Sequence, residues 1–175
     1  NPLIHPETLW YPDADGDGYG DANDPGAAQC EAPSDTHTLD NTDCSDIAIE
    51  LNPETTWYLD SDGDSYGDIA TPGVTQCNPP TADYTLNQTD CDDANPLIHP
   101  LSVWYPDSDS DGYGDLSATG VTQCEAPPGP HSLDNTDCDD NRFETNPGAP
   151  EYCNSIDDNC NSNIDEGAAV DATMW

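Results

Sequence analysis

Apolar residues come in short bursts along this chain, and the bursts return at a fixed interval. Leu9-Trp10-Tyr11, Val74-Thr75-Gln76-Cys77 and Tyr84-Thr85-Leu86 are examples, each with counterparts elsewhere in the sequence. Runs of three to five residues, rich in aromatic and β-branched side chains and bounded by Gly, Asp and Pro, predict short strands joined by long polar loops. No stretch sustains a period of 3.6, so almost no helix is expected. Trp10-Tyr11 recurs as Trp57-Tyr58 and again as Trp104-Tyr105, 47 residues apart each time with no insertion. Every copy continues with an acidic loop, then Gln-Cys, a Pro three residues later, a Leu, and a Thr-Asp-Cys-x-Asp element at Thr42–Asp46, Thr89–Asp93 and Thr136–Asp140. Three gap-free copies define a tandem array, in which each unit packs mainly on its neighbours.

The repeat sets the expected domain organisation. Units span residues 10–56, 57–103 and 104–150, preceded by the end of another repeat over 1–9 and followed by a short Cys/Asp module over 151–175. Asn1-Pro2-Leu3-Ile4-His5-Pro6 returns in register at Asn95–Pro100, and Trp175 stands where a further Trp-Tyr unit would open. The expectation is a piece of a longer repetitive protein, with any targeting segment upstream. The fold class expected is mostly irregular with small β elements: a tandem-repeat rod of 47-residue units carrying short strands, calcium loops and local disulfides.

Charge changes this picture. Of 175 residues, 37 are Asp or Glu, one is basic (Arg142) and none is Lys, giving a net charge of −36. No basic patch exists to neutralise phosphates, which argues against nucleic acid and anionic lipid as partners. No apolar run approaches the roughly 18 residues of a membrane span. So many carboxylates repel one another, and with 33% hydrophobic residues the composition reads as disordered unless disulfides or cations hold it together.

Both kinds of staple are written in the sequence. Cysteines fall at 30, 44, 77, 91, 124, 138, 153 and 160, the first six in pairs 14 apart and the last pair 7 apart. An even count at regular spacing in a chain with little core argues for disulfides and an oxidising compartment. Local pairing is expected: Cys30–Cys44, Cys77–Cys91, Cys124–Cys138 and Cys153–Cys160. Closing a loop of about 15 residues stabilises by roughly 3 kcal/mol in the chain-entropy model. Zinc is disfavoured, for there is no Cys-x-x-Cys and no suitably spaced His.

The acidic loops carry the chemistry. Asp13, Asp15, Asp17 and Asp21, with the carbonyl of Tyr19 and with Gly18 at the sixth position, match the first nine positions of an EF-hand calcium loop. The second loop offers Asp60, Asp62, Asp64, Tyr66 and Asp68, with Ser65 at the glycine position. The third offers Asp107, Asp109, Asp111, Tyr113 and Asp115. A more degenerate fourth runs through Asp157, Asn159, Asn161, Asn163 and Asp165. Alternate residues of a tightly turning loop aim oxygens at one centre, and calcium accepts six to eight of them where magnesium resists dehydration. The twelfth-position Glu of an EF-hand is absent; Asp24, Thr71, Ala118 and Ala168 stand there. Another carboxylate must complete each shell, and the candidates are Asp43 and Asp46, Asp90 and Asp93, and Asp137 and Asp140. These either close the loop site or form a second one, for about four to eight calcium ions in all.

Taken in order, Tyr-x-Asp-x-Asp-Gly-Asp-Gly-Tyr-Gly-Asp, Cys, Asp-Cys-Asp-Asp, Asn146-Pro-Gly-Ala-Pro-Glu151-x-Cys153, Ile156-Asp-Asp-Asn-Cys160 and Ile164-Asp-Glu-Gly167 resemble the MopE-type metal-binding repeat of secreted bacterial proteins. They are loosely similar to thrombospondin type 3 calcium repeats as well. The resemblance implies an extracellular, metal-loaded array. Ser45 and the Asn residues of the last module depart from the pattern.

Other readings weigh less. A glycosidase carboxylate pair would occur once, not three times, so no catalysis is expected. His5 and His99 share a column with Asn52 and Asn146, and His37 and His131 share one with Tyr84, which suits packing better than copper ligation. Trp10, Trp57 and Trp104 read as the small core of each unit rather than a sugar-stacking row. Asn87-Gln88-Thr89 fits a glycosylation acceptor. The function expected is that of an extracellular structural protein, a fibre, stalk or surface filament built by repeat stacking and head-to-tail self-association. The alternative is a calcium-binding spacer or accessory module of a larger secreted enzyme or adhesin.

Overall fold

The computed structural model describes residue 5, residues 7–166 and residues 169–170. The first copy of the Asn-Pro-Leu-Ile-His-Pro element, His5 apart, and the expectations resting on Ala168 and Trp175 lie outside these. Among the described residues no helix forms, and every strand belongs to one of three small sheets. The chain divides into two compact units, Asn1–Thr89 and Asp90–Trp175.

The first unit holds two sheets. One is built from β1 (Leu9–Pro12), β2 (Ala27–Ala28) and β3 (His37–Thr38), the other from β4 (Thr56–Leu59), β5 (Val74–Thr75) and β6 (Tyr84–Thr85). The second unit holds β7 (Val103–Pro106), β8 (Val121–Thr122) and β9 (His131–Ser132). In each sheet the aromatic strand lies in the middle and shares its two halves between two antiparallel arms. Leu9 and Trp10 pair with Ala28 and Ala27, whereas Tyr11 and Pro12 pair with Thr38 and His37. The same register returns 47 residues on in the other two sheets. The arms are two residues long, shorter than the three to five that the apolar bursts predict, because each arm pairs with only one half of the four-residue central strand.

The Trp is the core of each small sheet. Trp57 and Trp104 are buried and Trp10 is half-buried. Each indole Nε1–H donates to a glutamine carbonyl, Gln29, Gln76 or Gln123, at 3.1, 2.9 and 3.0 Å. The ring is thereby buried with its polar atom satisfied. Otherwise the interior is inverted. Apart from the two Trp, Ala169 is the one buried hydrophobic residue among those described, while Asp43, Asp90, Asp107, Asp137, Asp140, Glu151 and Asp158 are all buried.

A glycine draws the tail of each repeat against its acidic loop. A Cβ at Gly20, Gly67 or Gly114 would lie 2.6 Å from the carbonyl oxygen of Asp40, Asn87 or Asp134. Without it, the Gly N–H donates to that carbonyl at 3.0, 2.8 and 2.8 Å. In the first and third repeats the contact continues as a parallel bridge, Asp21 with Asp43 and Asp115 with Asp137.

The disulfides correct the expected pairing. They join Cys44 to Cys77, Cys91 to Cys124 and Cys138 to Cys160. The pairings Cys30–Cys44, Cys77–Cys91, Cys124–Cys138 and Cys153–Cys160 do not form. For the first three the reason is the strand order, in which β2 and β3 flank β1 on opposite edges, and for the last it is that Cys160 is bonded to Cys138. Cys30 follows β2 and Cys44 follows β3, so neighbours in sequence leave from opposite sides. Each bond instead ties the Thr-Asp-Cys end of one repeat to the Gln-Cys of the next, or to the C-terminal module. Cys30, in the column of Cys77 and Cys124, is an exposed free thiol. At a separation of 33 the chain-entropy model gives about 3.8 kcal/mol per bond.

Candidate metal centres

All four acidic loops share the turns at their fourth and sixth positions. The fourth and sixth positions have positive φ in each: Gly16 and Gly18, Gly63 and Ser65, Ser110 and Gly112, Cys160 and Ser162. Glycine suits these turns, and the four non-glycine residues take the same left-handed conformation at a steric cost. The turns let the first acidic side chain fold over the loop. Asp13 accepts the N–H of Gly16 at 2.7 Å and that of Gly18 at 3.2 Å, and Asp107 accepts those of Asp111 and Gly112 at 3.2 and 3.1 Å.

The next two acids form a ladder. Asp15 Oδ1 accepts the Asp17 N–H at 3.2 Å, and Asp17 Oδ1 accepts the Tyr19 N–H at 2.8 Å. Each second oxygen, Oδ2 of Asp15 and of Asp17, is buried with no hydrogen-bond partner. In the third repeat Asp109 and Asp111 repeat the ladder at 3.3 and 2.9 Å. Asp109 Oδ2 is likewise buried and unpartnered, while Asp111 Oδ2 accepts a hydrogen bond from the Asn146 amide at 2.7 Å. The middle loop has the same internal pattern, with Asp60 accepting from Gly63 and Ser65, Asp62 from Asp64, and Asp64 from Tyr66.

The returning tail adds a deeply buried carboxylate. Asp43 is 3% exposed and Asp137 is 0% exposed, and Oδ2 of each has no partner. Burial raises the Asp43 carboxyl above the usual range, as do the charges of Asp17 and Asp15, against backbone N–H donation from Ser45 and Cys44. Burial pushes Asp137 up to about 6, with the Asp139 N–H opposing and the charges of Asp111, Asp109 and Asp140 adding to the rise. Asp109 is raised too, first by its burial and then by Asp111. Carboxylates packed this way without a counter-charge are costly, and only a proton or a cation relieves them.

The second tail acid anchors the loop from the other side. Asp46 Oδ1 accepts the Ala14 N–H at 2.7 Å, and Asp140 accepts both the N–H and the hydroxyl of Ser108 at 2.6 Å. Ligand oxygens of Asp107, Asp109 and Asp140 lie within 4.8 Å of one another, as do those of Asp13, Asp15 and Asp17. Asp90 and Asp93 belong to the second compact unit, where Asp90 is fully buried. The ninth-position acids turn to the next bend: Asp21 accepts the Asn23 N–H, Asp68 those of Ala70 and the Thr71 hydroxyl, and Asp115 those of Ser117. These hydrogen bonds lower the carboxyls of Asp68 and Asp115, Thr71 and Ser117 being the chief causes.

Asp157 accepts the N–H of Asn161 and of Ser162 at 3.1 and 2.8 Å, and Asn159 and Asn161 continue the ladder to Asn161 and Asn163. Asp165 instead accepts the N–H groups of Asn154 and Ser155. Three residues with no place in the Asp-x-Asp spacing organise this module: Glu151, Asp158 and Glu166. Both oxygens of Glu151, which is 3% exposed, accept backbone N–H groups, from Asp158, Asn159 and Asp165. Glu151, Asp158 and Glu166 stand inside the runs that carry the family resemblance, but no Asp-x-Asp spacing marks them as site residues.

Two of the four histidines, His5 and His99, act as turn caps. Nδ1 of His5 and of His99 accepts the N–H two residues on, as Oδ1 of Asn52 and Asn146 does in the same column. His99 and His131 also line one cavity together with Trp104 and Tyr105. Six of the eight cysteines are in disulfides, so those thiols are not metal ligands.

A donor set made of carboxylate oxygens, several of them buried and unpartnered, fits a hard divalent cation. Residues 90–102 and 137–166 match the family model named Cu-binding MopE and described as "Putative metal-binding motif". The matched segments hold two of the three Asp-Cys-Asp-Asp or Asp-Cys-Ser-Asp tails and the whole fourth loop. Neither a curated protein nor a solved structure matches the chain.

Proposed function

We propose that this chain is an extracellular structural array whose repeats are held in shape by calcium. The observation that carries the reading is the pair Asp43 and Asp137, each buried with an unpartnered oxygen among other carboxylates. Oxygen-only donors favour calcium, and a bound divalent ion would supply the positive charge that a chain with a single basic residue lacks. In the third repeat Asp107, Asp109 and Asp140 make one group, while Asp137 is buried and feels the charges of Asp111 and Asp109. That a further buried carboxylate stands beside the group supports more than one ion per repeat, within the range of about four to eight per chain.

Copper is the second reading. It is favoured by the name of the matched family and by the two imidazoles lining one cavity. The disulfides support a secreted or cell-surface location. No catalytic role is proposed. Recurrence of one unit every 47 residues supports a stalk or head-to-tail filament as the finer form of the function, and a spacer in a larger secreted enzyme or adhesin as its alternative. Sedimentation with calcium separates these, since a filament grows with concentration and a spacer stays monomeric.

The test of the calcium reading is chelation followed by small-angle scattering. The chain is expected to expand when calcium is removed and to recompact when it is restored. Unchanged dimensions after chelation would overturn the reading.

A further inference from the structure

We infer that the fourth acidic loop is closed by the carboxylate of Glu166 in place of a cation, and so keeps its shape when cations are removed. Its first turns match the other loops, with positive φ at Cys160 and Ser162 and the same ladder of side-chain oxygens on backbone N–H groups, and it departs from them at the ninth position, where Asp165 has φ 53°. What differs is the atom left over. Asp15 and Asp17 each spend one oxygen on the ladder and keep another, buried and unpartnered. Asn159 and Asn161 spend their only side-chain oxygen there and present an NH2 instead.

An amide NH2 donates and cannot ligate a cation. Both amides donate to Glu166 Oε1, at 3.0 Å from Asn159 and 2.7 Å from Asn161. Hydrogen bonds to an ionised acceptor are among the stronger ones available to a protein. Among the described residues of this module, Glu166 Oε2 is the one buried side-chain oxygen left unpartnered, against those of Asp15, Asp17 and Asp43 in the first repeat.

The rest of the module holds Glu166 at that spot. Glu151 accepts N–H groups from Asp158 and Asn159 at one end of the loop and from Asp165, next to Glu166, at the other. Asp165, the acid whose spacing suggests a ligand, caps Asn154 and Ser155 at 2.7 and 2.8 Å. The Cys138–Cys160 disulfide fixes the fourth position covalently. The surroundings differ in kind: Glu166 meets two neutral amides here, whereas in the first repeat ligand oxygens of Asp13, Asp15 and Asp17 lie within 4.8 Å of one another and the charges of Asp17 and Asp15 act on Asp43.

The experiment uses the full chain, with and without chelator, and reads two things: amide-proton exchange of the Asn159 and Asn161 side chains, and mapped limited proteolysis. After chelation these amide protons should stay protected and residues 151–166 should resist cleavage, while the loops at 13–21 and 107–115 are cut. Glu166→Ala should raise cleavage of 151–166 about tenfold even with calcium present, and Glu166→Gln less, because its carbonyl still accepts. Loss of amide protection on chelation, or cleavage of 151–166 at the same rate as the other loops, would overturn the inference. So would an indifferent Glu166→Ala. If chelation leaves the first and third loops uncut, the calcium reading fails instead, and retained Asn159 and Asn161 protection still upholds the Glu166 closure.

Discussion

Asp137 and Asp43 each bury one oxygen that accepts no hydrogen bond, and substitution tests what relieves its cost. Asp137→Asn or Asp43→Asn should weaken calcium binding at its own repeat by about tenfold or more, since affinity in such sites follows the charge count of the ligands. Calorimetry on each variant checks this, with the other repeat as internal control. The pH dependence has a definite sign. The Asp137 carboxyl is pushed up to about 6, above an ordinary aspartate near 3.9. Between those values the folded chain holds a proton that the unfolded chain has released. Acidification through this window therefore stabilises the calcium-free form, and the destabilising cost is complete above about pH 6. Calcium must displace the same proton, so its affinity should fall below about pH 6. Melts with chelator at pH 5 and 7.5, beside calcium titrations at the same two values, should move in opposite directions. Ser65 makes a separate test. It holds φ at 79° where the first and third loops have glycine, so Ser65→Gly should raise stability by about 1 kcal/mol in chemical denaturation.

At the scale of elements, the acidic loops were legible because their signal is local. A period of two among aspartates, repeated every 47 residues, states both the turn and the chemistry. The aromatic strands were legible for the same reason, and Trp as the core of each sheet followed from how little else could be buried. The cysteine partners were not legible. Spacing of 14 suggests neighbours, yet the strand order puts those neighbours on opposite edges, and only the pairing of two arms to one central strand reveals it. Glu151 and Glu166 fall inside the family-like motif, but their roles were hidden, since each acts across the module through hydrogen bonds that no spacing encodes. Peptide mapping without reduction should recover Cys44 linked to Cys77 and Cys91 linked to Cys124, and no peptide linking Cys30 to Cys44. Gly114→Ala should cost about 2 kcal/mol or more, because the added Cβ meets the Asp134 carbonyl at 2.6 Å and pushes the tail that delivers Asp137. That variant should lose calcium affinity in step with its stability.

For the molecule as a whole, a charge of −36 on a chain with three buried hydrophobic side chains among those described leaves little for an ordinary core to do. Disulfides that step from one repeat to the next constrain the unfolded chain but do not neutralise it. The carboxylates drawn inward by the glycine contact are the part that needs an ion, and the C-terminal module is the part built to do without one. The most direct test is elemental analysis of native material purified without chelator. The account predicts calcium bound at four or more ions per chain, with copper and zinc far below one. Material that is folded and free of divalent ions, or that carries copper in place of calcium, would contradict it.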